Sequence, residues 1–531
     1  MKRAQWVETI AIFSILVIAA YLRMHNVSEV PGWHNDEGTV INIAHNLSEG
    51  RLEYFGIQDS LLITARQPLF VWILSLLFRV FGTSITVLRL FTGILGALST
   101  LVIFSVFRKK NFALAAICAF AYAIMPDAVI TSRIGFSYNL ASFLGILGYF
   151  FAASYYETGG RGYGIASALI LGLGLSSELA AIIFLPALLI IIYMKRRQDL
   201  GIIIFIFFLP VLVYSIVMLF ISPNAFFFDL QFIFFRINNF SLPGKAIIFL
   251  INIASLSQRI YFSLGLIGLL ISENEPIKKI TIIFTLIPFF VVGCSAPLDS
   301  IGMYKLVPLY PFFAIGIGLL FYEIIRRIHK MSLLLADRLT NSFKPLKKSL
   351  RTFLVAATDL AVIFPFILTP VIAIIINYQL LFMPKYTPDS VVDNINQISP
   401  LTKMVDNIFN PVLLNVEDAT AVVNFVNNHT ATNDLVIASP AIGWAIHANA
   451  TDYVISLAYT GKQNLFFPTD IPRTRFRFNA DFRHAKYIIV DNIWKNSFEL
   501  NMPAMDSLNN EVETMTIAYR TSTIIVYQRQ E

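Results

Sequence analysis

Long apolar blocks separated by short polar interruptions run through the chain as far as Tyr378, and these blocks set its architecture. Blocks at 6–22, 87–107, 112–126, 140–156, 163–175, 179–194, 200–221, 246–271, 280–295, 306–325 and 353–378 approach or reach the ~20 residues a helix needs to cross a ~30 Å hydrocarbon core. They predict about eleven transmembrane helices. The stretch 68–82 is also apolar, but it is short and carries Arg79, so it is expected as an embedded or re-entrant helix. Lys2 and Arg3 precede the first block and no small-residue cleavage site follows it, the pattern of a retained anchor.

Beyond Pro384 the pattern changes. Asn, Asp and Thr become frequent, and short β-rich runs appear at 435–438, 487–490 and 523–527. The stretch 416–428, with Asp418 near its start and Val422, Val423 and Val426 at helical spacing, reads as a helix before the first strand. The expected fold class is therefore a polytopic α-helical membrane protein, residues 1–383, followed by a soluble α/β or α+β domain, residues 384–531.

Composition agrees with this reading. Of 531 residues, 56% are hydrophobic and only 14% charged, where a soluble protein carries roughly a quarter charged residues. The net charge of +7 does not point to nucleic acid, because the basic residues stand in short clusters between apolar blocks. If 68–82 does not cross, Lys2-Arg3, Arg108-Lys109-Lys110, Arg161, Lys195-Arg196-Arg197, Lys278-Lys279 and the stretch 326–351 all fall on one side, as cytoplasmic retention of Lys and Arg requires. The N-terminus is then cytoplasmic. The first loop, 23–86, and the C-terminal domain lie outside the cytoplasm. Cys118 and Cys294 both sit within apolar blocks and support neither a disulfide framework nor a cysteine metal site.

The candidate chemistry gathers in that first loop. Just past the first crossing stands Pro31-Gly32-Trp33-His34-Asn35-Asp36-Glu37-Gly38. An acidic pair on a loop is ordinarily solvated surface, but here ordered features follow: a helical pattern over 41–47, Gly50-Arg51, Arg66-Gln67-Pro68-Leu69 with Trp72, Phe81-Gly82, then Arg89-Leu90 near a helix start. This order resembles the GT-C glycosyltransferases of the protein O-mannosyltransferase and aminoarabinose-transferase type. Met303-Tyr304-Lys305-Leu306-Val307-Pro308 resembles the late helix entry of the same enzymes.

The resemblance implies a GT-C fold and transfer of a sugar from a polyprenyl-phosphate carrier to a protein, lipid or glycan acceptor at the outer face of a cell membrane. Such a reaction needs a base for the acceptor hydroxyl, for which Asp36 is the candidate. It also needs fixed cations facing the departing phosphate, for which Arg66, Arg89, Arg133 and Lys305 are the candidates. Each of these cations, taken singly, equally suits a helix anchor at the bilayer edge. Glu37 is expected to shape the site or contact the acceptor, and His34 and Tyr304 are further polar neighbours. Asn139 stands where metal-dependent relatives place a carboxylate, so metal-independent transfer without a cofactor is favoured, with Asp127 left as an oxygen donor nearby. Glu178 stands where related bacterial enzymes often carry a cation. A transporter or flippase of lipid-linked sugars would place charges in mid-span, and these are sparse. An oligosaccharyltransferase-like enzyme would carry a Trp-Trp-Asp motif, which the sequence lacks.

Overall fold

The computed structural model describes residues 2–60, 68–237, 260–271, 276–293, 302–340, 413–462, 471–496 and 503–530, together with 352, 353, 355, 356, 371, 373 and 467. The expected domain division at 383/384 and the late crossing at 353–378 lie largely or wholly outside these residues.

The helical part begins with α1 (Lys2–Met24), α2 (Asn35–Ser48), α3 (Pro68–Phe81) and α4 (Ile85–Arg108). It continues through α5 (Phe112–Ile124), α6 (Pro126–Ser132), α7 (Ser137–Thr158), α8 (Arg161–Ser177), α9 (Phe184–Arg196), α10 (Leu200–Ile221) and α11 (Pro223–Ile237). The further described helices are α12 (Ile260–Ile271), α13 (Pro276–Gly293) and α14 (Tyr310–Thr340), the last entered through a 3-10 segment at Gly302–Leu309. Among the described residues three apolar stretches are long enough to cross a membrane, Ile85–Arg108, Leu179–Ile221 and Lys305–Asp337; α5 and α6, bent by 58° at their junction, make a fourth if they form one span. Helix α3, with 14 residues, rises about 21 Å and is too short to cross, as its length in sequence implied. Its outer face leaves Leu76, Val80 and Phe81 exposed.

The one-sided basic clusters also imply an outer loop at 126–139, and the structure differs there. Pro126 has no N–H to continue α5, Met125 turns extended, and α6 starts afresh with Pro126 in its first turn.

In the C-terminal part, β4 (Leu413–Leu414) precedes α15 (Val416–His429), which matches the helix expected there. The strands β5 (Leu435–Ile437), β6 (Asn449–Thr451), β7 (Tyr487–Val490), β8 (Thr516–Arg520) and β9 (Ile525–Gln528) form one sheet in the order β6-β5-β7-β9-β8. The first three run parallel, and β9 and β8 are antiparallel. Two short pairs belong to the first loop. Trp33–His34 (β1) lies antiparallel to β4, pairing Trp33 with Leu414. Glu53–Tyr54 (β2) and Ile57–Gln58 (β3) form a hairpin whose turn residues, Phe55 and Gly56, both have positive φ, the geometry of a type I′ connection.

Two apolar cores result. One runs through the helical bundle from α1 to α14. The other joins Trp33, Ile41, Phe55 and Ile57 of the first loop, and Phe70 and Leu74 of α3, to Val436, Ile442, Ile455 and Ile488 of the C-terminal part. The acidic loop is thus packed between the bundle and the sheet.

Candidate active site

Asp36 and Glu37 stand in the first turn of α2, which begins at Asn35 rather than at the 41–47 pattern expected from sequence. The reason is local. His34 is extended and serves as N-cap: its Nδ1 accepts from the Asp36 amide at 3.0 Å, while the Glu37 carboxylate takes the His34 amide at 3.2 Å. This reciprocal arrangement closes the helix start. Two acidic side chains in the first turn also complement the positive end of the helix. The His34 ring meets Phe136 edge-on at 4.9 Å. Burial holds its pKa below the usual 6.5, against the attraction of Asp36 and Glu37 and with the help of Arg89; a neutral ring is what an accepting Nδ1 requires.

The two carboxylates have opposite environments. Glu37 is fully buried and takes four hydrogen bonds: Oε1 from Arg89 Nε at 2.8 Å and from the Gly135 amide at 2.7 Å, Oε2 from Arg89 Nη2 at 2.6 Å and from His34 N. Asp36, one residue earlier, is exposed, and its carboxylate has no hydrogen bond to any described residue.

Of the four cations expected at the phosphate, two are committed elsewhere. Arg89 spends all five of its N–H donors on the protein, on the Glu37 carboxylate and on the carbonyls of Val27, Pro31 and Gly32. Arg133 is likewise fully buried and donates to the carbonyls of Leu22, Asn26 and Val30. Their geometry fits the acidic loop as a whole: a turn of backbone with several inward carbonyls is held by two planar, many-donor side chains. Lys305 is half-buried at the entry to α14, in the 3-10 segment that packs on α6 and α7. Arg66 and the side chain of Tyr304 lie outside the described residues.

Asn139 is buried, and its amide donates to the carbonyls of Thr131 and Ile134. It closes the loop that carries Gly135, a task a carboxylate has no hydrogens to perform. Asp127 is buried at the start of α6. Glu178, at the end of α8, accepts from Ser137 Oγ at 2.8 Å.

Sequence reasoning gave the C-terminal part no side chains in the site, yet that part abuts the acidic helix. Gly38 meets the Pro440 carbonyl so closely that a Cβ there would lie 1.8 Å from its oxygen, and one on Gly32 would lie 2.1 Å from Leu414 O. Trp33 and Trp444 pack with their rings tilted by 52° and ring centres 5.4 Å apart. Arg477 pairs with buried Glu53 at 3.2 Å, and Arg475 reaches the carbonyls of Asp59 and Asn224. The one usable signal was the pair of glycines flanking the acids, which permits close approach of another backbone.

Residues 65–227 match the model of a family described as dolichyl-phosphate-mannose-protein mannosyltransferase. Among solved structures the chain is similar to ArnT from Cupriavidus metallidurans bound to undecaprenyl phosphate, at 12% identity and a TM-score of 0.58 with 98% of each chain covered. It is also similar to the oligosaccharyltransferase AglB from Archaeoglobus fulgidus in complex with an inhibitory peptide and a dolichol-phosphate, at 14% identity and a TM-score of 0.52, covering 99% of this chain and 75% of that one. No curated protein matches the chain in sequence. The fold is that of the GT-C glycosyltransferases.

Proposed function

We propose that this chain, a membrane protein of GT-C fold similar to the protein O-mannosyltransferase and aminoarabinose-transferase enzymes, transfers a sugar from a polyprenyl-phosphate donor to an acceptor hydroxyl outside the cytoplasm. The observation that carries the reading is the division of labour between Asp36 and Glu37. One carboxylate is spent on the fold; its neighbour is exposed and uncommitted at the same helix start. Asp36 takes the proton of the acceptor hydroxyl as the acceptor oxygen attacks the anomeric carbon. The anomeric carbon–oxygen bond to the carrier breaks, and the polyprenyl phosphate leaves with the electron pair. Direct displacement of this kind inverts the anomeric centre.

The departing phosphate gains charge, and fixed cations stabilise it. Because Arg89 and Arg133 are committed to carbonyls and to Glu37, the reading assigns the phosphate to Lys305 and Arg66. Arg89 and Arg133 hold the acidic loop instead. Asn139, used as a loop-closing donor, favours transfer without a divalent cation. The bound undecaprenyl phosphate and dolichol-phosphate of the ArnT and AglB structures support the carrier class. The sugar is left as a hexose or pentose.

The test is transfer of radiolabelled sugar in membranes supplied with a panel of polyprenyl-phosphate sugars, comparing the parent with Asp36→Asn at equal abundance and melting temperature. Loss of transfer by at least about 100-fold is expected for removal of a general base. Equal transfer by the two proteins overturns the assignment.

A further inference from the structure

Arg23, at the end of α1, is fully buried and belongs to none of the roles above. A charge closing an apolar block ordinarily reaches for the interface; this one turns inward. Its Nη2 donates to Tyr122 O at 2.9 Å and its Nη1 to Ala123 O at 2.7 Å, with a weaker bond to Ala19 O at 3.3 Å. The guanidinium lies 5.1 Å from the Tyr122 ring centre. Space for it is made by Gly96 of α4, where a Cβ would stand 2.7 Å from Arg23 Cδ and Nε and 3.0 Å from Ser132 Cβ.

Tyr122 and Ala123 are carbonyls that the break between α5 and α6 leaves without helical partners. Tyr122 O would take the amide of residue 126, which is proline and has none. Ala123 O loses its partner because the chain turns extended at Met125 before α6 begins. Arg23 supplies both missing donors. Left unmade in a buried site, such bonds carry the full cost of desolvating the carbonyls.

The break aims α6. Beyond that helix come Arg133, which grips Leu22, Asn26 and Val30 beside Arg23 itself, and Gly135, whose amide binds Glu37. Helix α6, with seven residues, is about 10 Å long, so a change of about 10° in the bend moves its far end by about 2 Å. Displacement of about 1 Å in a catalytic arrangement can cost about 100-fold in rate. We infer that Arg23 is a positioning residue for sugar transfer: it replaces the donors lost at Pro126 and fixes the angle at which α6 delivers Gly135 to Glu37, and hence the seat of Asp36. The inference rests on Asp36 being the base.

Arg23→Lys keeps the charge but offers one compact ammonium where two carbonyls must be spanned. Hydrogen exchange of the purified full chain reads the effect without needing a substrate. Amides of 127–139 are expected to exchange at least about tenfold faster in Arg23→Lys, while those of the strands 435–437 and 487–490 stay as in the parent. Unchanged exchange at 127–139, or equal acceleration in the sheet, overturns the inference. In the transfer assay the variant is expected to lose about 10–100-fold in kcat with donor KM within about twofold. In a Pro126→Ala background, where the restored amide can serve Tyr122 O, the same change is expected to cost less than about threefold; independent, multiplicative effects overturn the coupling. Asp36→Asn is run in parallel. Parent-like transfer by that variant removes the base assignment, while the exchange comparison still decides whether Arg23 sets the α5–α6 junction.

Discussion

At the scale of single residues, the acidic helix start divides into groups that hold the fold and an exposed carboxylate proposed to act, and substitution should separate them. Glu37→Gln leaves the Arg89 guanidinium fully buried without its counter-charge. Removing one partner of a buried pair costs about 3–5 kcal/mol, so a marked fall in melting temperature in detergent is expected together with loss of transfer. Asp36→Asn, at an exposed carboxylate without hydrogen bonds to described residues, is expected to change stability by less than about 0.5 kcal/mol. Equal destabilisation by the two changes would contradict the division.

His34 adds a pH dependence to the same turn. Because its folded pKa lies below 6.5, the unfolded chain takes up the proton first on acidification. The stability given by neutral His34 is therefore complete above pH about 6.5 and is lost as pH falls through the folded value. His34→Asn keeps a good N-cap acceptor without titrating. Thermal unfolding between pH 5 and 8 should show an acid-side decline in the parent that is reduced in the variant; an identical decline would place the titrating group elsewhere.

At the scale of elements, what the sequence revealed and what it hid follow from how local each signal is. Apolar blocks are local, so the short α3 and the helix at 416–429 were legible from periodicity alone. The start of α2 was not, because histidine is an uncommon N-cap and the apolar pattern begins only at Val40. The bond between Arg89 and Glu37 spans 52 positions, and no spacing rule announces it. Resemblance pointed to Arg89 as a site residue, but sequence order could not say that its donors face carbonyls. The glycines around the acids make the seam between α2 and the short helix Pro440–Gly443 the element-level feature to test. Gly38→Ala sets a Cβ against backbone that cannot rotate away, and overpacking of this kind costs about 1–3 kcal/mol or more. It should speed limited proteolysis of the C-terminal part and lower transfer. A variant with parent-like proteolysis would show that the two backbones separate without cost.

At the scale of the whole molecule, the sheet packs against the candidate site rather than hanging as an appendage. Its core residues and those of the first loop are one cluster, and the hairpin tip at Phe55 is a buried joint between them. Phe55 is 1% exposed. Its ring lies where a Cβ on Gly443 would approach to 2.9 Å, and its carbonyl accepts from Thr451 Oγ1. Gly56 beside it has φ +90°, with the Phe478 ring where a Cβ would stand. Truncating a buried Phe to Ala costs about 3–5 kcal/mol. If the sheet merely hung from the membrane helices, Phe55→Ala would loosen the sheet and leave α2 in place. Because the shared core also holds Trp33 and Ile41, at the two ends of the turn that presents Asp36, the change should instead raise hydrogen exchange in 33–48 and in 435–457 together and reduce transfer. Exchange confined to one of these segments would mean that the two parts fold independently, and the acidic loop would then owe its shape to the arginines of the bundle alone.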